Sequence, residues 1–115
     1  MRLAAVLLLV AAPAFGAQEA GLFRDLSGSC DPELVGQMTG PVRINPSRLE
    51  APRGVCAFSG ETLISRMDGA SLRDATCRPA GGGDPFETRF FLSFTERGVT
   101  VVSPAWGTWA LGRCP

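Results

Sequence analysis

The 115-residue sequence contains no histidine, no lysine and no tyrosine. Without histidine the chain has neither a Ser-His-Asp triad nor a Cys-His pair, and it has no imidazole ligand for a metal. Without lysine it cannot form a Schiff base or bind phosphate through a P-loop lysine. These absences remove the central residue of most hydrolase and transferase mechanisms. We therefore predict that the chain is not an enzyme and that it holds no metal and no other cofactor.

The sequence also lacks an excess of charge of either sign. All positive charge is carried by arginine, and 11 arginines balance 11 Asp and Glu residues. The composition offers no basic surface for nucleic acid or for anionic lipid, so no nucleic-acid partner is predicted.

One apolar run is present, at residues 3–12, directly after a single positive charge at Arg2. Residues 14–16 then offer small side chains at the two positions that a signal peptidase reads. This layout is typical of a secretory signal peptide, with cleavage after Gly16 or, alternatively, after Ala17. The run is shorter than the roughly 20 apolar residues of a membrane-spanning helix.

The sequence thus predicts a signal peptide at residues 1–16 and a single domain at residues 17–115. We expect a periplasmic or secreted monomer that does not span the membrane. A domain of this size has a modest core, so covalent cross-links contribute strongly to its stability.

The four cysteines are an even number, which in a small exported chain predicts two disulfides. They are Cys30, Cys56, Cys77 and Cys114, and no two of them form a C-x-x-C motif. A lipid anchor at Cys30 is not expected, because Ser27 occupies the position where the lipoprotein motif has an aliphatic residue.

Four cysteines allow three pairings. If Asp68-Gly69 form a two-residue hairpin turn, Gly60 lies opposite Cys77. Cys56 then lies about 13 Å further along its strand, at ~3.3 Å per residue. Disulfides require Cα atoms within about 7 Å, although a bulge or a wider loop weakens this argument. We therefore favour the pairs Cys30–Cys56 and Cys77–Cys114.

The rest of the chain predicts a mainly β domain. Asp31-Pro32-Glu33 favours a short helix of about two turns near the N-terminus, whereas residues 47–54 resemble a loop. Strand candidates follow, with a hairpin signal at Asp68-Gly69; they are residues 42–44, 55–59, 62–67, 70–77, 86–94, 98–102 and 106–113. The expected architecture is an antiparallel meander that forms a curled sheet or a small barrel.

Residues 86–94, FETRFFLSF, give the clearest strand pattern. Four of the five residues on one face are apolar, and the opposite face is polar except for Phe91. Phe91 is therefore a candidate surface aromatic. Trp106 and Trp109, three positions apart, would point to opposite faces of one strand. Trp106 is accordingly a second candidate for a binding surface, since exposed Trp is common in binding hot spots.

The signal peptide, short strands, four cysteines and terminal ALGRCP resemble small exported bacterial four-cysteine β-domains. Among these, the chain is similar to the periplasmic inhibitors of c-type lysozyme at Ser59-Gly60, in AFSGE. The resemblance implies a small disulfide-bonded barrel and a binding role for Ser59. The chain departs from those inhibitors in having no Tyr or Lys near this loop, so inhibition of lysozyme is not implied.

Together these observations predict a non-enzymatic exported binding domain, inhibitor-like or an envelope adaptor. Its partner would be a protein or another envelope component that the sequence does not identify. Two alternatives remain open. The barrel could carry a small apolar ligand, or two carboxylates could converge for acid/base hydrolysis.

Overall fold

The computed structural model describes residues 20–64 and 67–115, so the predicted signal peptide lies outside the described residues. Most of the described chain is β-strand. The strands are β1 Gly21–Arg24, β2 Val42–Asn45, β3 Arg48–Ala51, β4 Gly54–Leu63, β5 Ala70–Pro79, β6 Phe86–Phe94, β7 Gly98–Ser103 and β8 Gly107–Arg113.

Each strand pairs antiparallel with the next one, and β8 returns to pair with β1, which closes the sheet into an eight-stranded barrel. The predicted antiparallel meander is confirmed. Of the two expected shapes, curled sheet or small barrel, the structure has the barrel.

The barrel interior is filled by side chains, because alternate residues of every strand point inward. Phe23, Ile44, Leu49, Phe90 and Leu92 are all 0% exposed. Burying each of them stabilises the fold by roughly 1.5–3 kcal/mol relative to exposure.

Strand β6 follows the sequence prediction at both ends. Phe90, Leu92 and Phe94 are buried in the core, while Phe91 lies on the outer surface and is half-buried. On that outer surface Phe91 is directly opposite Leu72 of β5 and Val102 of β7.

The predicted N-terminal helix of about two turns is wrong. The segment forms only a 3₁₀ turn, Pro32–Leu34, although its start is as expected: the Glu33 N–H donates to Asp31 Oδ1 at 3.0 Å. Val35 then takes an extended conformation (ψ 131°) and Gly36 a positive φ of 90°, so the turn cannot continue as a helix. Within the described residues no helix is both long and apolar enough to cross a membrane.

Two further expectations are corrected in the middle of the chain. The predicted loop contains β3, in which Leu49 and Ala51 point into the core. The two short strands expected on either side of Gly60 are a single strand, β4. A bulge at Ser59 interrupts the pairing of β4 with β5 and lets the strand continue with its register shifted by one residue.

The favoured disulfide pairs are wrong: the structure joins Cys30 to Cys114 and Cys56 to Cys77. Asp68-Gly69 do form the centre of a turn, closed by the Ala70 N–H donating to the Met67 carbonyl at 3.2 Å. The strands, however, do not begin at that turn.

The first cross-strand pair of this hairpin is Leu63 with Ser71, so the connection is wider than the two residues assumed. The Ser59 bulge adds a further one-residue shift. Together the wide connection and the bulge bring Cys56, in place of Gly60, opposite Cys77, with Cα atoms 3.9 Å apart.

Candidate binding site

The strand pairing that closes the barrel, between β1 and β8, is short. Strand β1 pairs with β8 only at Phe23–Arg113 and Arg24–Gly112, because β1 ends at Arg24. Strand β8 begins five residues before Gly112, at Gly107. Its residues Thr108–Leu111 therefore have no strand beside them on the β1 side within the described chain.

A cleft of about 430 Å³ occupies this gap. One side is Thr108–Leu111 of β8, and the other is formed by Arg24, Val42 and parts of the loop between them; Pro52 and Arg53 of the β3–β4 turn complete the lining. We call this space the β8 cleft. Its volume falls within the range of about 300–1,000 Å³ that is typical of ligand sites.

Apolar side chains from the barrel interior reach the β8 cleft. Trp109 and Leu111 alternate on the inner face of β8, and Leu111 is only 8% exposed. Val42, which is 5% exposed, lies across the gap on β2. The floor of the cleft is thus formed by side chains that belong to the core.

Trp109 is held in place by a neighbouring tryptophan. The rings of Trp106 and Trp109 stack with centroids 5.7 Å apart and planes 23° from parallel. Trp106 in turn packs edge-on against the buried Phe90, at 5.7 Å between centroids. This chain of contacts links the aromatic surface of the cleft to the centre of the barrel.

Arg53 holds the same pair from the β3–β4 turn. Its Nη1 donates to the Trp106 carbonyl oxygen at 3.1 Å, and its guanidinium carbon lies 5.4 Å from the centroid of the Trp109 ring. At this distance the cation is attracted by the face of the ring. Arg53 therefore fixes Trp109 and places a positive charge beside it.

The opposite wall of the cleft is the connection between β1 and β2. Arg24 Nη1 donates to the Gly28 carbonyl at 3.1 Å, and the Ser27 N–H donates to Asp25 Oδ1 at 3.1 Å. The disulfide Cys30–Cys114 ties this connection to the end of the chain. The wall is therefore anchored covalently as well as by hydrogen bonds.

The exposed surface of this wall is both apolar and charged. The side chain of Met38 is 90% exposed and lines the cleft. The charged residues of the lining are Arg24, Arg53 and Asp25, so positive charge is in excess.

The prediction that Trp106 and Trp109 point to opposite faces is wrong. Trp106 lies in the turn between β7 and β8, where its N–H donates to Ser103 Oγ at 3.0 Å, and β8 starts only at Gly107. Period-2 alternation therefore does not apply to the pair. Trp106 supports the cleft from behind, and Trp109 lines it.

The other two candidate residues lie elsewhere. Phe91 is on the outer surface of β6, and Ser59 is in the β4 bulge, where its Oγ donates to the Asp74 carbonyl at 3.4 Å. The structure does not bring Trp106, Phe91 and Ser59 into one site.

A second concave region, near Ser59, contains a residue that the sequence did not suggest. Arg73 points into the barrel with its side chain only 4% exposed, and its Nη2 lies 3.2 Å from Glu61 Oε2. Arg73 Nε donates to Ser71 Oγ at 3.2 Å, and the guanidinium carbon lies 5.1 Å from the Phe58 ring centroid. These contacts hold the buried guanidinium in place, so we assign Arg73 a structural role at this end of the barrel.

Several carboxylates are paired with arginines. Glu50 contacts Arg48, and Asp74 Oδ1 accepts from Arg89 Nε at 2.7 Å. The hydrogen bond and the charge of Asp74 raise the pKa of Arg89 above its ordinary value. Within residues 20–64 and 67–115, no group of three or more His, Cys, Asp or Glu side chains is placed to hold a metal ion.

Apart from Trp109, the residues that form the cleft are not marked by any local sequence pattern. Arg24 and Met38 follow no motif, and Arg53 falls in a segment predicted to be a loop. Their proximity depends on the closure of β8 onto β1, which joins opposite ends of the chain.

Comparison with known proteins adds no assignment: no protein-family model, no curated protein and no solved structure matches this chain. The function has to be argued from the geometry.

Proposed function

We propose that this protein is an exported, non-catalytic binding domain that takes up a segment of another secreted or envelope protein in the β8 cleft. The observation that carries the proposal is the opening of the barrel wall beside Trp109. A concave surface with an aromatic side chain and a neighbouring arginine has the composition of a binding hot spot.

The packing of the barrel supports this function over transport of a small apolar ligand. A carrier needs space among its inward-facing side chains, whereas Phe23, Phe90 and Leu92 fill the interior and are 0% exposed. The open space at the β8 cleft is instead in contact with the surface.

The charge distribution supports a non-catalytic role over carboxylate-based hydrolysis. Glu50, Glu61 and Asp74 each lie within ion-pair distance of an arginine. A carboxylate whose oxygens are engaged by a guanidinium is less available to contact a substrate.

The cleft carries its own reporter. Trp106 and Trp109 are the only tryptophans of the chain, and there is no tyrosine. The intrinsic fluorescence above about 300 nm, where indole emits, therefore originates beside the cleft. A ligand that enters the cleft changes this emission, and a ligand that binds elsewhere leaves it unchanged.

The test uses the oxidised protein recovered after export of the full chain. Peptides are selected on it from a display library of random octapeptides, and the selected peptides are titrated by fluorescence. We expect Trp109→Ala to weaken their binding at least tenfold, because this substitution removes the aromatic surface of the cleft.

Phe91→Ala is the matched control, since it removes an aromatic ring from the outer surface of β6. It should leave the affinity within twofold of that of the unmodified protein. Peptides that bind without changing the emission and that ignore Trp109→Ala would contradict the proposal. Loss of binding in Phe91→Ala alone would place the site on the outer surface.

A further inference from the structure

The backbone of β8 has a second feature that bears on what the cleft binds. The Cys114 N–H donates to the Leu22 carbonyl at 2.9 Å, toward β1, and the Arg113 N–H donates to the Arg97 carbonyl at 2.6 Å, on the β7 side. Backbone groups of successive residues in a strand point to opposite neighbours. These two bonds therefore fix the direction of every backbone group along β8.

By this alternation Gly112, Ala110 and Thr108 direct their N–H and C=O groups toward the β1 side. Gly112 is opposite Arg24, the last residue of β1. For Ala110 and Thr108, no backbone hydrogen bond from the described residues meets these groups, which open into the β8 cleft.

We propose that the β8 cleft binds an extended, acidic peptide segment of a partner protein as an added β-strand, paired to Thr108 and Ala110. This inference rests on the function proposed above and adds the conformation and charge of the bound segment. Ala110 and Thr108 are spaced as alternate residues of a strand, so they present two donors and two acceptors in the repeat that an extended chain matches.

The space in the cleft sets the length of the segment. The stretch Thr108–Leu111 has four residues, which at ~3.3 Å per residue accommodates about four residues of an added strand. One face of that strand would lie against the inner side chains, Trp109 and Val42, and the other would face solvent. A segment with alternating apolar and polar residues fits this environment.

The charge of the cleft favours an acidic segment over a second copy of this chain. Arg24 and Arg53 outnumber Asp25 in the lining. Two copies joined through their β8 edges would bring these positive charges together, whereas an acidic peptide would complement them.

The decisive variant is Ala110→Pro. Proline removes the N–H that points into the cleft, but this group takes no part in the pairing with β7, and Ala110 is exposed. Proline is tolerated in strands at such edge positions. Ala110→Thr, which alters the side chain and keeps the N–H, is the matched control.

We expect Ala110→Pro to weaken binding of the library-selected octapeptides at least tenfold more than Ala110→Thr does, because only proline removes the N–H. Thermal unfolding of both variants checks the fold. If Ala110→Pro does not fold, N-methylation of the peptide at successive positions gives the same information. Strand addition requires that N-methylation lowers the affinity at alternate peptide positions only. An equal loss of affinity at every position, or no loss at any position, would overturn it.

The outcomes separate the two proposals. If Trp109→Ala weakens binding while Ala110→Pro and N-methylation do not, the cleft binds its partner without strand addition, and only the present inference fails. If no selected peptide alters the tryptophan emission, the proposed function fails as well. A dimer in sedimentation that Ala110→Pro dissociates would assign the edge to a second copy, and a library that enriches basic segments would overturn the assigned charge.

Discussion

Trp106 and Trp109 form a stacked pair, with ring centroids 5.7 Å apart, although one residue lies in a turn and the other in a strand. The pair joins the buried Phe90 on one side to the β8 cleft on the other. The position of Trp109 in the cleft therefore depends on Trp106 and on the turn that holds it. Four predictions test this and other features of the barrel.

The stacked indoles should couple their excited states and give a paired band in the circular dichroism spectrum. We expect both Trp106→Phe and Trp109→Phe to abolish this band, because either substitution leaves a single indole. The spectra are recorded on folded protein, with Phe91→Leu as the control. Persistence of the band in either tryptophan variant would show that the rings are not stacked in solution.

The two disulfides should differ in their resistance to reduction. Cys56 and Cys77 are 0% exposed, whereas Cys30 and Cys114 are partly exposed. Because exposed disulfides are the more labile ones, low concentrations of reductant should open Cys30–Cys114 first. Alkylation followed by peptide mass spectrometry identifies the thiols released. Earlier labelling of Cys56 and Cys77 would contradict the burial seen here.

Two glycines with positive φ provide a matched pair. Gly69 (φ 78°) and Gly107 (φ 80°) have nearly the same φ angle. A Cβ atom at Gly69 would lie 2.6 Å from the Phe94 carbonyl oxygen, whereas one at Gly107 would meet nothing within 4 Å. Gly107→Ala should cost roughly 1–2 kcal/mol of unfolding free energy, as expected for the left-handed conformation alone.

Gly69→Ala should cost about 1–3 kcal/mol more than Gly107→Ala, because the added methyl group also forces the backbone near Phe94 to move. Urea unfolding followed by circular dichroism measures both variants. Equal costs for the two substitutions would indicate that the turn at Gly69 relaxes without strain.

Stability should be nearly independent of pH between about 6 and 10. The chain has no His, Lys or Tyr, and its cysteines are bonded, so the α-amino group is the ordinary titrating group left in this interval. Arg89 has a raised pKa. The contribution of Arg89 to the free energy of unfolding is complete below the unfolded-state pKa of arginine. It is lost only as the pH rises through the higher folded-state pKa, far above this interval.

The measurement is the urea midpoint at several pH values and constant ionic strength. A change in the midpoint between pH 6 and 10 that exceeds the effect of blocking the N-terminus would mean that a buried group titrates in this range.

Local patterns in the sequence were sufficient for part of the fold. Strand β6 was predicted at both ends because Phe86, Phe90, Leu92 and Phe94 all fall on one face of a period-2 pattern and no turn residue interrupts them. The turn at Asp68-Gly69 was also predicted correctly. Its strands start further away than assumed, and a bulge at Ser59 shifts the register again, so the disulfide pairing derived from that turn was wrong.

The binding roles predicted for Trp106, Phe91 and Ser59 stay predictions, and the cleft itself was beyond reach of local patterns. It exists because β1 is four residues long and β8 is seven, a mismatch between segments at opposite ends of the chain. Trp109 was recognised as a notable residue, but its pairing with Trp106 depends on where β8 begins. The strand propensities of these residues do not predict that β8 begins at Gly107, directly after Trp106.

The disulfide between Cys30 and Cys114, which are separated by 84 positions in the sequence, turns nearly the whole barrel into a covalent ring. A protease that cuts once between these cysteines linearises the ring and releases no fragment. The Cys56–Cys77 disulfide lies within the ring. If the first cut falls outside residues 56–77 and a second cut falls between Cys56 and Cys77, all pieces therefore stay connected. This connectivity means that a nicked molecule keeps all its strands together.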